Sequence, residues 1–347
     1  MKLFDFLGIR VIKTGVAIFF TALICQLLGW PPVFAVITAI VTLEPTVSDS
    51  IKKGFVRFQA SGIGSAYAVF FIALFGNSPV TYTLAAVFTI VTSYKLKLHA
   101  GLLVATITAV AMIEVVYDNY FLSFLTRLGT TSIGLIVSTV VNMFIFPPDY
   151  IKEINENINK LYKSIGRATS SIITFETSSS KDINKSLNAL GKQIKNTEEL
   201  IRFQKGEANF HPLAGSKKHD FFIARKQIDN LELMVYHLTN LKNIAIEDIQ
   251  LKSNERLLIE KAVESLSEHM IHQTDVDLTV HELAIKRLMQ TFWLNNNVIT
   301  DELSDSHLPN ELILLYEVLA LIQLTYEFDL IKNILFPEEK TTQDQNL

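Results

Sequence analysis

Residues 35–64 nearly recur at residues 105–134, and this echo constrains the chain more than any other feature. Ile37-Thr38-Ala39 leads to Glu44, then Arg57, then Ile63-Gly64. Seventy positions on, Ile107-Thr108-Ala109 leads to Glu114, then Arg127, then Ile133-Gly134. Eight of the thirty positions are identical, where unrelated stretches of similar composition would match at roughly two to three. Both copies carry one Glu and one Arg in otherwise apolar surroundings, thirteen residues apart. An internal repeat fixes architecture before any local propensity does.

The repeat lies in an apolar half. Residues 1–150 hold nine Lys/Arg and six Asp/Glu, and residues 151–347 hold the other twenty-two and twenty-nine, a net charge of −7. The first part is expected to be embedded in a lipid bilayer, and the acidic second part to be soluble and to bind no nucleic acid. The one cysteine, Cys25, permits no disulfide within the chain.

Six spans are expected, over about residues 11–28, 33–48, 60–75, 79–94, 98–116 and 121–146, against the roughly 20 residues a spanning helix requires. The first ends at Gly29-Trp30-Pro31-Pro32 without a small-x-small cleavage site, so it is expected to be retained rather than removed as a signal. The second has only eleven residues between Pro32 and Glu44, so it must carry Glu44-Pro45 inward or break there. Three connections, residues 29–32, 76–78 and 117–120, contain no Lys or Arg. The other side holds Lys2, Arg10, Lys13, Lys52, Lys53, Arg57, Lys95 and Lys97. The positive-inside rule then places both termini in the cytoplasm. Trp30, Tyr82, Tyr117, Tyr120 and Phe121 fall near the outer ends, where amphipathic rings favour the interface. With this topology the second span descends and the fifth ascends. The echo is therefore a three-plus-three inverted repeat, an arrangement found in many transporters with the substrate site at its interrupted segments.

After Pro147-Pro148, Ile151, Ile154, Ile158, Leu161, Ile165, Ala168, Ile172 and Phe175 recur at alternating three and four. That heptad seam suits a coiled coil or a bundle. Residues 177–181 form a Ser-rich turn. Further helices are expected at about residues 182–204, 216–246, 253–272, 276–295 and 309–335, before a polar, disordered tail at 337–347. The fold class is all-α: a six-helix transmembrane domain at 1–148, then a soluble antiparallel helical bundle at 149–336.

Ionisable residues inside spans are functional candidates by default. Glu44 and Arg57 flank the inner turn between spans two and three; Glu114 and Arg127 flank the outer turn between spans five and six. Each pair should meet at similar depth on antiparallel helices and offset part of its desolvation cost. Arg57 and Arg127 would attract a carboxylate, which matches a planar guanidinium at two points, with Arg127 the deepest. Glu44 or Glu114 could exchange a proton. The same two pairs could equally serve only as helix-end salt bridges. Lys13, near the inner end of span one, either joins this site or snorkels to the interface. Gly62, Gly64 and Gly134 suit close helix packing. His269 and His272, with His281 nearby, have helical spacing but no accompanying carboxylate pattern for a metal set. No phosphate-cradling loop or catalytic string occurs, and nothing in the sequence calls for a cofactor; an enzyme is the least expected class.

Lys52-Lys53-Gly54-Phe55-Val56-Arg57, Arg127-Leu128-Gly129-Thr130-Thr131-Ser132-Ile133-Gly134 and Asn142-Met143-Phe144-Ile145-Phe146-Pro147-Pro148, together with Arg10 and Pro31-Pro32, resemble the aromatic acid exporter family of Gram-positive bacteria. The second part is similar to that family's C-terminal domain. Gln59-Ala60-Ser61 departs from the pattern, standing where a Gly-Thr pair like Gly129-Thr130 is expected. The resemblance implies export of small aromatic carboxylates from the bacterial cytoplasm by a homodimer. A passive anion channel and a non-transporting scaffold with a partner-binding bundle fit the same residues.

Overall fold

A computed structural model describes residues 8–114, 119–173, 180–244, 249, 251–273, 278–297 and 309–333. Tyr117, Phe175, most of the Ser-rich turn and the tail at 337–347 lie outside the described residues. The chain is helical, with no strand among the described residues. It divides into two compact units, Met1–Asp149 with Phe203–Pro212, and Tyr150–Arg202 with Leu213–Leu347.

The first unit contains α1 (Ile9–Leu27), α2 (Val33–Thr42), α3 (Val47–Phe75), α4 (Pro79–Lys95), a 3-10 turn (His99–Gly101), α5 (Leu102–Ile113) and α6 (Tyr120–Phe144). Helices α1, α3 and α6 are long and apolar enough to cross a membrane, while α2 and the His99–Ile113 stretch are shorter apolar helices. The second of the expected spans breaks. Pro32 limits α2 at one end, and Leu43 at the other leaves helical geometry, so only ten residues remain. The break spans residues 43–46, because Thr46 accepts the Asp49 backbone N–H at 3.0 Å and starts α3. The third helix therefore begins at Val47, not near residue 60. Its first turns hold the Lys52-Lys53 charges that mark a loop when charge alone is read.

Helix boundaries follow the repeat. Shifted by the offset of seventy, α1, α2 and α3 fall on α4, α5 and α6 to within three residues at each end. Packing obeys the same exchange: α2 packs on α6 as α5 packs on α3, and α1 packs on α2 and α6 as α4 packs on α5 and α3. At the centre α3 crosses α6. Gly54 lies against Leu135 and Gly62 against Leu128, so the two run antiparallel. Ser61 Oγ lies 3.3 Å from Thr131 Oγ1, its own counterpart in the second copy.

Two glycines make the approach possible. A Cβ on Gly64 would fall 2.4 Å from the Ala105 carbonyl oxygen, and one on Gly134 would fall 2.3 Å from that of Ala35. Ala35 and Ala105 are also repeat partners, so one backbone contact is made twice. Buried Ser61, Ser65, Thr131 and Ser138 satisfy themselves on backbone or on each other across these interfaces.

The second unit packs α7 (Ile151–Ile173), α8 (the Ser180–Glu207 helix, whose last turn belongs to the first unit), α9 (Ser216–Asn243), α10 (Ser253–His272), α11 (Thr279–Asn297) and α12 (Asn310–Asn333). The heptad seam on α7 does not form a coiled coil. Ile154, Ile158, Leu161 and Ile165 are buried in this unit's own core, against residues such as Leu231, Leu266 and Leu321. Tyr162 stacks on Phe328 with centroids 4.1 Å apart. The described seam residues are thus consumed in this unit's own core, the bundle alternative of the two the spacing allows. Of the histidines weighed for a metal, His269 lies 2.6 Å from Asp329, and no metal-binding cluster occurs among the described residues.

Two predictions follow from this packing. Gly134→Ala should destabilise the chain by about 1–3 kcal/mol through overpacking. Gly62→Ala, where the new Cβ meets Leu128 at an ordinary 3.5 Å, should be near neutral; thermal unfolding in detergent compares them. Leu161→Ala, fully buried, should cost about 2–5 kcal/mol. The loss should not depend on protein concentration, as it would if Leu161 lay in a dimer seam.

Candidate functional site

The first unit holds two buried arginines, related by the repeat and differently treated. Arg57 and Arg127 each lie four residues before the Ser61–Thr131 crossing. On antiparallel helices that puts them on opposite sides of it, about 12 Å apart along the pair at 1.5 Å per residue.

Arg57 is satisfied. Its NH2 donates to Glu44 Oε1 at 2.6 Å, its Nε donates to the Ala100 carbonyl at 3.3 Å, and only NH1 lacks a partner. Lys53 Nζ donates to the other Glu44 oxygen at 2.8 Å. The expected inner pair is therefore present, as a three-charge cluster. Glu44 sits in the 43–46 break, and its backbone is tied down as well: its N–H reaches Ser50 Oγ at 3.3 Å, and its carbonyl accepts from Asn142 Nδ2 at 3.1 Å.

Asn142 joins Lys13 to this end. Lys13 does not snorkel: it is buried, and its Nζ donates to Asn142 Oδ1 at 2.9 Å, while Asn142 Nδ2 also reaches Ser50 Oγ at 3.0 Å. The ammonium finds an acceptor on α6 without leaving the helix packing, which removes the reason to reach for the surface. Nearby, Glu207 from the segment Phe203–Pro212 is fully buried. It accepts the Val47 backbone N–H at 3.0 Å, at the first turn of α3, and His211 Nδ1 lies 2.7 Å from its other oxygen. A carboxylate there complements the positive end of the helix dipole. Neither Asn142 nor Glu207 has a local sequence signal for this role; one is an amide in an apolar helix and the other lies 160 residues from its partner.

Arg127 is not satisfied. It is 4% exposed, NH2 donates to Thr108 Oγ1, and both Nε and NH1 have no partner. The expected Glu114–Arg127 pair does not form. Glu114 closes the end of α5 in an exposed position and accepts instead from the Tyr82 hydroxyl on α4. The geometric reason is the helix boundary. Asn119 caps α6 through the Leu122 N–H at 3.0 Å, which sets Arg127 two turns down the helix, while Glu114 stays at the rim.

The Arg127 guanidinium instead faces a cavity of about 750 Å³ whose lining includes Trp30, Pro31, Phe34, Met112, Thr126 and Thr130. The guanidinium carbon lies 4.0 Å from the Phe34 ring centroid, a cation–π contact. Trp30 packs where Gly129 has no side chain: a Cβ there would fall 2.3 Å from the indole ring. This is the family-pattern glycine that the first copy replaces with Gln59. A desolvated cation with two idle nitrogens costs several kcal/mol unless an anion joins it. The volume suits a small organic ligand, and the aromatic walls suit a ring. Sequence alone singles out Arg127 but not Trp30 or Phe34, which look there like an interface anchor and a span residue.

A line of hydroxyls runs between the two arginines. Arg127 bonds Thr108, Thr108 Oγ1 lies 3.4 Å from Ser61 Oγ, and Ser61 lies one turn from Arg57 on α3.

The chain is 44% identical over 339 residues to a UPF0421 protein of Oceanobacillus iheyensis, covering 94% of this chain and 96% of the relative. It is 37% identical over 353 residues to one of Bacillus thuringiensis subsp. konkukian, covering 100% and 98%. It is 39% identical over 246 residues to one of Staphylococcus haemolyticus, covering 68% and 73%. Residues 5–145, which contain both arginines and the cavity lining, match the family model described as aromatic acid exporter family member 1; the first unit belongs to that exporter family, and over its length the chain belongs with the UPF0421 proteins.

Proposed function

We propose that the chain is a six-span transporter of the bacterial cytoplasmic membrane that exports small aromatic carboxylates. The observation that carries this reading is the buried Arg127, which lines an aromatic-walled cavity and has two nitrogens without a partner. A carboxylate would accept a charge-assisted hydrogen bond from an unpartnered nitrogen, and its ring would lie among Trp30, Phe34 and Met112. Family membership supports membrane transport, and three apolar helices of spanning length support the membrane setting. The loop charges support both termini in the cytoplasm, with the Arg127 cavity toward the outer face. Broken α2, α4 and short α5 complete six crossings if the residues around them thin the bilayer or tilt the helices, as short segments at transporter sites do.

Proton coupling is assigned to Glu114. It stands at the rim, held only by the Tyr82 hydroxyl among described contacts, where protonation needs no charge separation from an arginine. The hydroxyl line through Thr108 and Ser61 favours one other reading, a passive anion conduit, since it offers polar partners along the way between the arginines.

In proteoliposomes, benzoate flux should rise with an imposed proton gradient. Arg127→Gln should lower apparent benzoate affinity about 10- to 100-fold, the worth of one or two hydrogen bonds to a charge, while the protein still inserts and melts normally. Currents that follow the anion gradient with no proton dependence would support the conduit instead. Wild-type flux of benzoate in Arg127→Gln would refute this site.

A further inference from the structure

The two ends of the repeat are chemically alike but differ in closure, and that difference points to a second site. The walls of the Arg127 cavity have repeat partners at the other end: Trp30 with Ala100, Pro31 with Gly101, Thr126 with Val56, and Thr130 with Ala60. Around Arg127 these positions stand apart and line open volume. Around Arg57 they are collapsed on one another. A Cβ on Gly101 would lie 2.5 Å from the Ala60 Cβ and 3.0 Å from the Val56 carbonyl oxygen. Arg57 Nε is bonded to Ala100 itself, and Glu44 fills the place an anion would take. At the open end the equivalent carboxylate, Glu114, is turned away to Tyr82.

From this broken symmetry we infer that Arg57 heads a second, closed carboxylate-binding site, and that it opens as the Arg127 cavity collapses. In the exchanged form Glu44 leaves Arg57, residues 99–101 move off Ala60, and Arg57 with Lys53 offers two cations to the ligand. At the other end Glu114 leaves Tyr82 and takes Arg127. The exchange needs no new fold, because each half adopts the geometry its repeat partner already shows. The frame both states share is the crossing of α3 and α6 with the glycine contacts of α3 to α5 and of α6 to α2, an arrangement that is itself symmetric. The inference deepens the proposed function, since it supplies the site at the opposite end of the same pathway.

Single-cysteine reporters test it in a Cys25→Ala background, which removes the chain's one cysteine. Thr126→Cys reports the open end and Val56→Cys its repeat partner. In nanodiscs, where both faces are accessible, a polar maleimide should label Thr126→Cys at least tenfold faster than Val56→Cys. Adding Glu44→Gln should raise Val56→Cys labelling and slow Thr126→Cys labelling, each by about tenfold. Tyr82→Phe, a milder change that frees Glu114, should shift both rates the same way and serves if Glu44→Gln fails to fold. Benzoate should protect Val56→Cys in the Glu44→Gln chain, and Arg57→Gln should remove that protection. The inference is overturned if both variants leave the two rates unchanged, if Val56→Cys speeds up while Thr126→Cys does not slow, or if protection survives without Arg57. Failure of benzoate to protect Thr126→Cys in the otherwise native chain would instead strike the proposed function, leaving the labelling exchange as the measure of this inference.

Discussion

The backbone-to-backbone approach at Gly64 and Gly134 is the contact on which the first unit depends. Each glycine lets a neighbouring helix come as near as a carbonyl oxygen allows, against Ala105 and Ala35 respectively. Between helices in an apolar setting no hydrophobic gain rewards loose contact, so close packing of small residues carries the association. Between these two contacts α3 crosses α6, where Ser61 and Thr131 meet and the hydroxyls that line the crossing are buried. Everything polar in the unit is arranged about that point. Arg57 and Arg127 stand one helical turn to either side, too deep for water to solvate and too far apart to share one counter-charge.

Burial makes the two arginines the dominant electrostatic problem of the fold, and the chain answers it in two ways. At Arg57 the answer is internal: Glu44, shared with Lys53, and a carbonyl complete a cluster of two cations and one carboxylate. At Arg127 the answer is partial: one hydroxyl and one aromatic face, with two nitrogens left over. Structural salt bridges that merely close hairpins would be expected at both ends or neither, because the sequence supplies the same Glu and Arg to each. The asymmetry therefore lies in what surrounds each pair, and under the proposed exchange it would mark one of two states of the molecule.

Much of this is legible in the sequence, for reasons that can be named. The repeat is visible because six of its eight identities are packing or charge positions: alanines and a glycine at close helix contacts, and threonine, glutamate and arginine among the buried or paired polar groups. Helix order in the second unit is visible because apolar spacing there is regular, and Pro147-Pro148 separates it from α6. Lys13 misleads, since snorkelling and burial look identical until Asn142, 129 residues away, comes within reach. The α7 seam misleads in the opposite way: heptad spacing describes a helix with one apolar stripe and does not say whose core the stripe enters. Glu114 fails for a more local reason, because the thirteen-residue spacing to Arg127 assumes a turn like the first copy's. The second copy leaves α5 at Ile113 and enters α6 at Tyr120, whereas the first resumes helix at Val47 only four residues after Thr42.

That local difference is joined by one at the cavity wall. Gly129 is a glycine because Trp30 lies on it, and its partner Gln59 need not be one because Trp30's partner is Ala100. Where the wall is aromatic, recognition can draw on a ring's area and its face as well as on charge. Where it is Ala100, Val56 and Ala60, only Arg57 and Lys53 remain to hold a ligand, and charge must dominate. On the proposed function a symmetric backbone would thus carry two sites of one kind and unequal selectivity: the Arg127 end would discriminate among carboxylates by what is attached to them, and the Arg57 end would recognise little beyond the carboxylate itself.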